Sequence, residues 1–73
     1  SGRHVLTKMP EMTYLAFASL MPVSGFSIKE AKYELAKTDY PTNFSLSSNE
    51  FVGDKSVTIE LESGIVAVIQ ARD

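Results

Sequence analysis

Lys55-Ser-Val-Thr-Ile-Glu-Leu-Glu-Ser-Gly-Ile-Val-Ala-Val-Ile-Gln-Ala71 is the stretch on which the fold turns. Val57, Ile59 and Leu61 alternate with Thr58, Glu60 and Glu62. Successive side chains of a strand point to opposite faces, so this half has one apolar and one polar side. Ser63-Gly64 is a turn signal, because glycine takes positive φ at no steric cost. The remainder reads as a second strand, folded back on the first as a hairpin. Leu61 then faces Val66, Ile59 faces Val68 and Val57 faces Gln70, and this layer belongs to the core. The opposite side of the second strand carries Ile65, Ala67 and Ile69. A strand apolar on both faces is normally covered on both. These three residues are therefore the expected contact surface, supplied with cover by a second subunit or a missing segment.

The rest of the chain supplies what this hairpin needs as neighbours. Arg3–Lys8 is a short strand or an ordered arm, ended by Pro10. Met12–Met21 reads as an interior strand, with Leu15 and Phe17 on one face and Tyr14, Ala16, Ala18 and Leu20 on the other. A helix is its competitor, because Ala, Leu and Met favour helices. Ser27–Lys37 carries the marks of a helix. Ser27 with Glu30 forms a capping box, Phe26 can staple to Ala31, and Ile28, Ala31 and Leu35 make a stripe. Pro41 ends it by restricting Tyr40. Thr42–Ser48 alternates as a polar edge strand. Asn49–Asp54 is the connecting loop, and its Phe51 and Val52 either tuck under the sheet or present a contact. The expected fold class is α+β: a small antiparallel sheet of about four strands with one helix on one face, in the order β-α-β-β-β. A full ferredoxin-like fold would need a second helix, and none is written here.

Length and composition bound the function. The chain has 73 residues, enough for one small domain, 1–73. Residues 1–2, Ser-Gly without Met, resemble a tag remnant, and the chain reads as a fragment of a longer protein. Cysteine is absent, so there is no disulfide and no thiolate chemistry. The formal charge is −2, with scattered basic residues, which argues against nucleic acid as a partner. No apolar run approaches the ~20 residues of a membrane span, and no signal pattern is present. The expected location is cytoplasmic.

No catalytic, cofactor or metal site is written in the chain. His4 is the lone histidine and reads as a solvent-exposed terminal residue. Glu60 and Glu62 are paired carboxylates on one strand face, an ordinary solvated arrangement without a third ligand. The four glycines are isolated and form no phosphate cradle. Asn43-Phe44-Ser45 matches a glycosylation acceptor only formally. The contact set is Ile65, Ala67 and Ile69, with Phe51 and Val52 beside it. The leading functional expectation is a non-enzymatic interaction or self-association module that forms homo-oligomers or binds another protein. One alternative is a fragment of a larger enzyme or ligand-binding protein whose site is completed elsewhere. A second is a small acidic inhibitor using Glu50, Asp54, Glu60 and Glu62.

Leu15-Ala16-Phe17-Ala18-Ser19-Leu20-Met21 and Ile59-Glu60-Leu61-Glu62-Ser63-Gly64-Ile65-Val66-Ala67-Val68 carry a family likeness. The chain resembles the opening half of an uncharacterised bacterial domain family of unknown function. The Pro-Ile-Pro segment that follows the last strand in that family is missing here. The resemblance implies a truncated domain and assigns no activity, cofactor or site residue.

Overall fold

In the computed structural model, which describes residues 2–72, seven strands form two antiparallel sheets and no helix is present among the described residues. The strands are β1 (Gly2–Leu6), β2 (Tyr14–Ser19), β3 (Val23–Lys29), β4 (Leu35–Tyr40), β5 (Phe44–Glu50), β6 (Val57–Leu61) and β7 (Ala67–Ala71). The four-stranded sheet runs β1-β6-β3-β4, and the three-stranded sheet runs β5-β2-β7. The fold is therefore an all-β sandwich, and the α+β class is corrected.

The expected helix over Ser27–Lys37 is replaced by the end of β3, a turn and the start of β4. The competing state is a strand inside a sheet: Phe26 and Ile28 share one face of β3 and are buried, Ser27 between them is buried as well, and Lys29 is exposed. Glu30, the supposed second half of a capping box, instead takes a left-handed φ of 69°. Its N–H is satisfied by Glu34, whose Oε2 accepts it at 2.7 Å. A capping box needs only two polar residues three apart, whereas β3 can bury Phe26 and Ile28 against a partner sheet. Burial of two large apolar side chains is worth about 1.5–3 kcal/mol each, more than a cap at about 1 kcal/mol.

The hairpin is also corrected. β6 pairs with β1 and β3, while β7 pairs with β2 in the other sheet. Ser63–Val66 is a corner that carries the chain from one layer to the next. Gly64 has φ of 102°, as a turn requires, and a Cβ there would lie 2.7 Å from the Pro22 carbonyl oxygen. Ser24 holds the corner from below: its carbonyl accepts the Glu62 N–H at 2.8 Å, and its N–H donates to the Ser63 carbonyl at 3.1 Å. The face assignment survives the loss of the pairing. Val57, Ile59 and Leu61 are buried, and Val66 and Val68 pack against the same core.

Core and sheet order follow from the inward residues. Leu15 and Phe17 of β2 face Phe26 and Ile28 of β3 across the sandwich, all at 2% exposure or less. The rings of Phe17 and Phe26 meet edge to face at 5.8 Å, and Tyr40 stacks on Phe44 at 4.1 Å. Such ring pairs add about 0.5–1.5 kcal/mol beyond their buried area. β2 is the interior strand of its sheet, between β5 and β7. Among the described residues no helix is long and apolar enough to cross a membrane.

Candidate functional site: the cleft beside Tyr33

β3 and β4 are joined by a turn over Glu30–Glu34, and this turn lies against the end of β5. Phe51 fixes the relation. It is 5% exposed and forms an isolated antiparallel bridge with Ala31, while its N–H donates to the Thr13 carbonyl at 2.9 Å. Period two then places Asn49, two residues earlier, on the inward side as well. Asn49 is 6% exposed, and a carboxamide at that depth must find partners. It finds three. Its Oδ1 accepts the Tyr33 and Glu50 N–H groups, each at 2.9 Å, and its Nδ2 donates to the Tyr33 carbonyl at 2.7 Å. One side chain thus substitutes for a strand partner along Tyr33.

The Tyr33 backbone is clamped, yet the residue is 56% exposed. Tyr33 lines a cleft of about 390 Å³ between the β3–β4 turn and β5. Ile28, Leu35 and Leu46 give the cleft apolar lining, and Ser45, Ser47 and Ser48 give it polar groups. Glu34 adds a carboxylate. Lys32 and Glu50 pair outside it: Lys32 Nζ donates to Glu50 Oε2 at 3.3 Å and sits 5.3 Å from the centre of the Tyr33 ring. The hydrogen bond to Glu50, then its charge and that of Tyr33, hold the Lys32 ammonium above the ordinary lysine value. The arrangement offers a flat π surface, aliphatic walls, hydroxyls and a carboxylate. It suits a flat heteroaromatic molecule, and the negative ring face and Glu34 favour a positive charge on it.

A larger groove of about 500 Å³ crosses the outer face of the four-stranded sheet, between Arg3, Lys29, Lys37, Glu60 and Glu62. Its size is less informative than its lining. Lys37 and Glu62 pair with each other, and the groove has no aromatic ring. Among the described residues no cluster of His, Cys, Asp and Glu could hold a metal ion.

The residues expected from the sequence fall elsewhere. Ile65 and Ile69 are 72% and 52% exposed, and Ala67 is exposed between them on the outer face of the three-stranded sheet. Leu20 and Met21 extend that apolar surface. Val52 is 45% exposed, whereas Phe51 is buried and serves the core. Glu50 and Glu62, two of the proposed inhibitory carboxylates, are paired with lysines. His4 lies on β1 opposite Ile59. Tyr33, Lys32 and Asn49 were not singled out in advance. The signal was present in Phe51: an apolar residue tucked inward places Asn49 inward too.

Residues 3–66 match the family described as thiamin pyrophosphokinase, vitamin B1 binding domain. Among solved structures, a thiamin pyrophosphokinase family protein from Enterococcus faecalis superposes with a TM-score of 0.91 at 35% identity. The match covers 99% of this chain and 33% of that one. A protein from Lactobacillus plantarum gives 0.87 at 36% identity, covering 99% of this chain and 35% of its own. A thiamin pyrophosphokinase from Geobacillus thermodenitrificans, at 21% identity, shares the fold, with a TM-score of 0.78 over 99% and 34%. The chain therefore spans about a third of the length of each. No curated protein matches it. These findings replace the uncharacterised family with a described one. They also overturn the self-association module as the main reading, and the fragment of a larger ligand-binding protein fits better.

Proposed function

The chain belongs to the vitamin B1 binding domain family of thiamin pyrophosphokinase, and from that membership we propose that it binds thiamin through the cleft beside Tyr33. The single observation that carries the reading is the family match over residues 3–66. The cleft supports it chemically. Thiamin joins an aminopyrimidine to a positively charged thiazolium. A tyrosine face attracts a flat cation through its quadrupole. Ser45, Ser47 and Ser48 can serve the pyrimidine nitrogens, and the Glu34 carboxylate complements the positive charge.

In this reading the domain binds and orients the vitamin. Diphosphate transfer falls to parts of a longer protein, since the related chains are about three times as long as the matched segment. The cytoplasmic setting belongs to the same proposal.

The test is calorimetric titration of the intact protein with thiamin. Tyr33→Ala is expected to weaken binding about tenfold or more, in line with the loss of an aromatic stacking partner. Leu20→Ser, on the far face at 91% exposure, is expected to leave affinity unchanged. Equal affinity for wild type and Tyr33→Ala would remove the vitamin from this cleft.

A further inference from the structure

We infer that Lys32, held by Glu50, is a positioning residue for the Tyr33 ring. The inference rests on the reading of the Tyr33 cleft as the vitamin site. Tyr33 lines that cleft, whereas Lys32 and Glu50 do not. Yet the Lys32 ammonium lies 5.3 Å from the ring centre, inside the range of a cation–π contact. The same ammonium donates to Glu50 Oε2 at 3.3 Å. The ring is thus contacted by the ligand space and by the ion pair.

The backbones under these three side chains cannot drift apart. Lys32 N–H donates to the Glu50 carbonyl at 2.9 Å, and Tyr33 is bonded through both its N–H and its carbonyl to Asn49. What remains free is the rotation of an exposed ring about its own side-chain bonds. An exposed aromatic samples its rotamers in picoseconds to nanoseconds. A ligand that stacks on it must select one of them, and that ordering opposes binding. The cation on the ring favours one orientation before the ligand arrives. Glu50 is needed because a lone lysine would spread over many rotamers of its own. Glu50 is in turn fixed through its N–H on Asn49 Oδ1. One buried carboxamide therefore sets the ring backbone and the anchor of its brace.

The brace has a cost for a positively charged ligand, since a second cation near the ring competes for its electrons. Pairing with Glu50 makes the brace neutral as a unit, so it orients the ring without repelling the ligand at long range. This is the physical reason for a lysine–glutamate pair at this place instead of a lysine alone.

The experiment is thiamin titration of the intact protein as a double-mutant cycle. Lys32→Ala is expected to weaken binding about threefold, the scale of an exposed cation–π contact. Lys32→Arg is expected to restore it, because guanidinium can both stack and bond to the carboxylate. In a Tyr33→Ala background, Lys32→Ala is expected to change nothing, because a residue acting through the ring has no ring to act on. The same loss in both backgrounds, unchanged affinity in Lys32→Ala alone, or tighter binding in that variant would each overturn the inference. Wild-type affinity in Tyr33→Ala alone would instead refute the location of the vitamin site. Tyr33 ring proton shifts supply a readout without ligand: they are expected to move in Lys32→Ala and to return in Lys32→Arg.

Discussion

Two polar corners redirect the chain, Ser63–Gly64 and Glu30–Glu34, and they are clamped alike but finished differently. At the first, Ser24 bonds to the backbone of Glu62 and Ser63 as the chain enters the turn, and the Ser24 and Ser63 hydroxyls meet at 2.6 Å. Ser19 Oγ donates to the Ile65 carbonyl at 2.6 Å just beyond it. Around Gly64 no room is left, since Pro22 and Val23 atoms lie within 3.0 Å of where a Cβ would stand. At the second corner Asn49 and the Ala31–Phe51 bridge fix the backbone as firmly. There the side chains of Lys32, Tyr33 and Glu34 stand outward beside a cleft. Hydrogen bonds of the same kind close a path in one place and hold a surface open in the other.

Substitutions separate these two uses. Gly64→Ala should have the largest effect on stability, roughly 3 kcal/mol, from a left-handed backbone and a steric clash together. Urea unfolding measures it, and thiamin affinity of the folded fraction should stay at the wild-type value. Asn49→Ala should cost about 2 kcal/mol, because two N–H groups and a carbonyl lose a buried partner. Unlike Gly64→Ala it should also lower thiamin affinity, since it frees the Tyr33 backbone. If affinity falls equally in both variants, the distinction between a path and a surface fails. Ser19→Ala should cost about 1 kcal/mol by removing the bond to Ile65, with no change in affinity.

The same contrast explains what could be read from the sequence. Parity was legible: Val57, Ile59 and Leu61 were expected inward and are buried, and Leu15 and Phe17, placed together on one face of their strand, are buried together. The central position of β2 was also legible, because both its faces are largely apolar. Pairing was not legible, because alternation says which face a residue takes and nothing about which strand lies beside it. So β6 and β7 looked like a hairpin although Ser63–Gly64 carries the chain between sheets. The false helix came from weighting local signals, Ser27 with Glu30, over the burial that a second sheet offers Phe26 and Ile28. The site was hidden for a related reason. Its chemistry depends on Asn49 reaching Tyr33 across 16 positions of sequence, and a contact of that range leaves no local pattern.

The finest expected effect concerns charge, and it tests whether the open corner is held by its ion pair. Glu50, first through its hydrogen bond and then through its charge, raises Lys32 above the ordinary lysine value of 10.5. A lysine whose folded value exceeds its unfolded one contributes its stabilisation fully below the unfolded value and loses it as pH rises through the folded value. The brace should therefore be constant across the neutral range and release only in alkali. An NMR titration of the lysine side chains follows this directly. In Glu50→Gln, Lys32 should titrate at lower pH than in wild type. Lys37, raised by its own bond to Glu62 on the outer face of the four-stranded sheet, should not move and serves as the internal reference. Should Lys32 keep its wild-type titration in Glu50→Gln, the ammonium is held by something other than Glu50, and the two corners differ only in the space left around them.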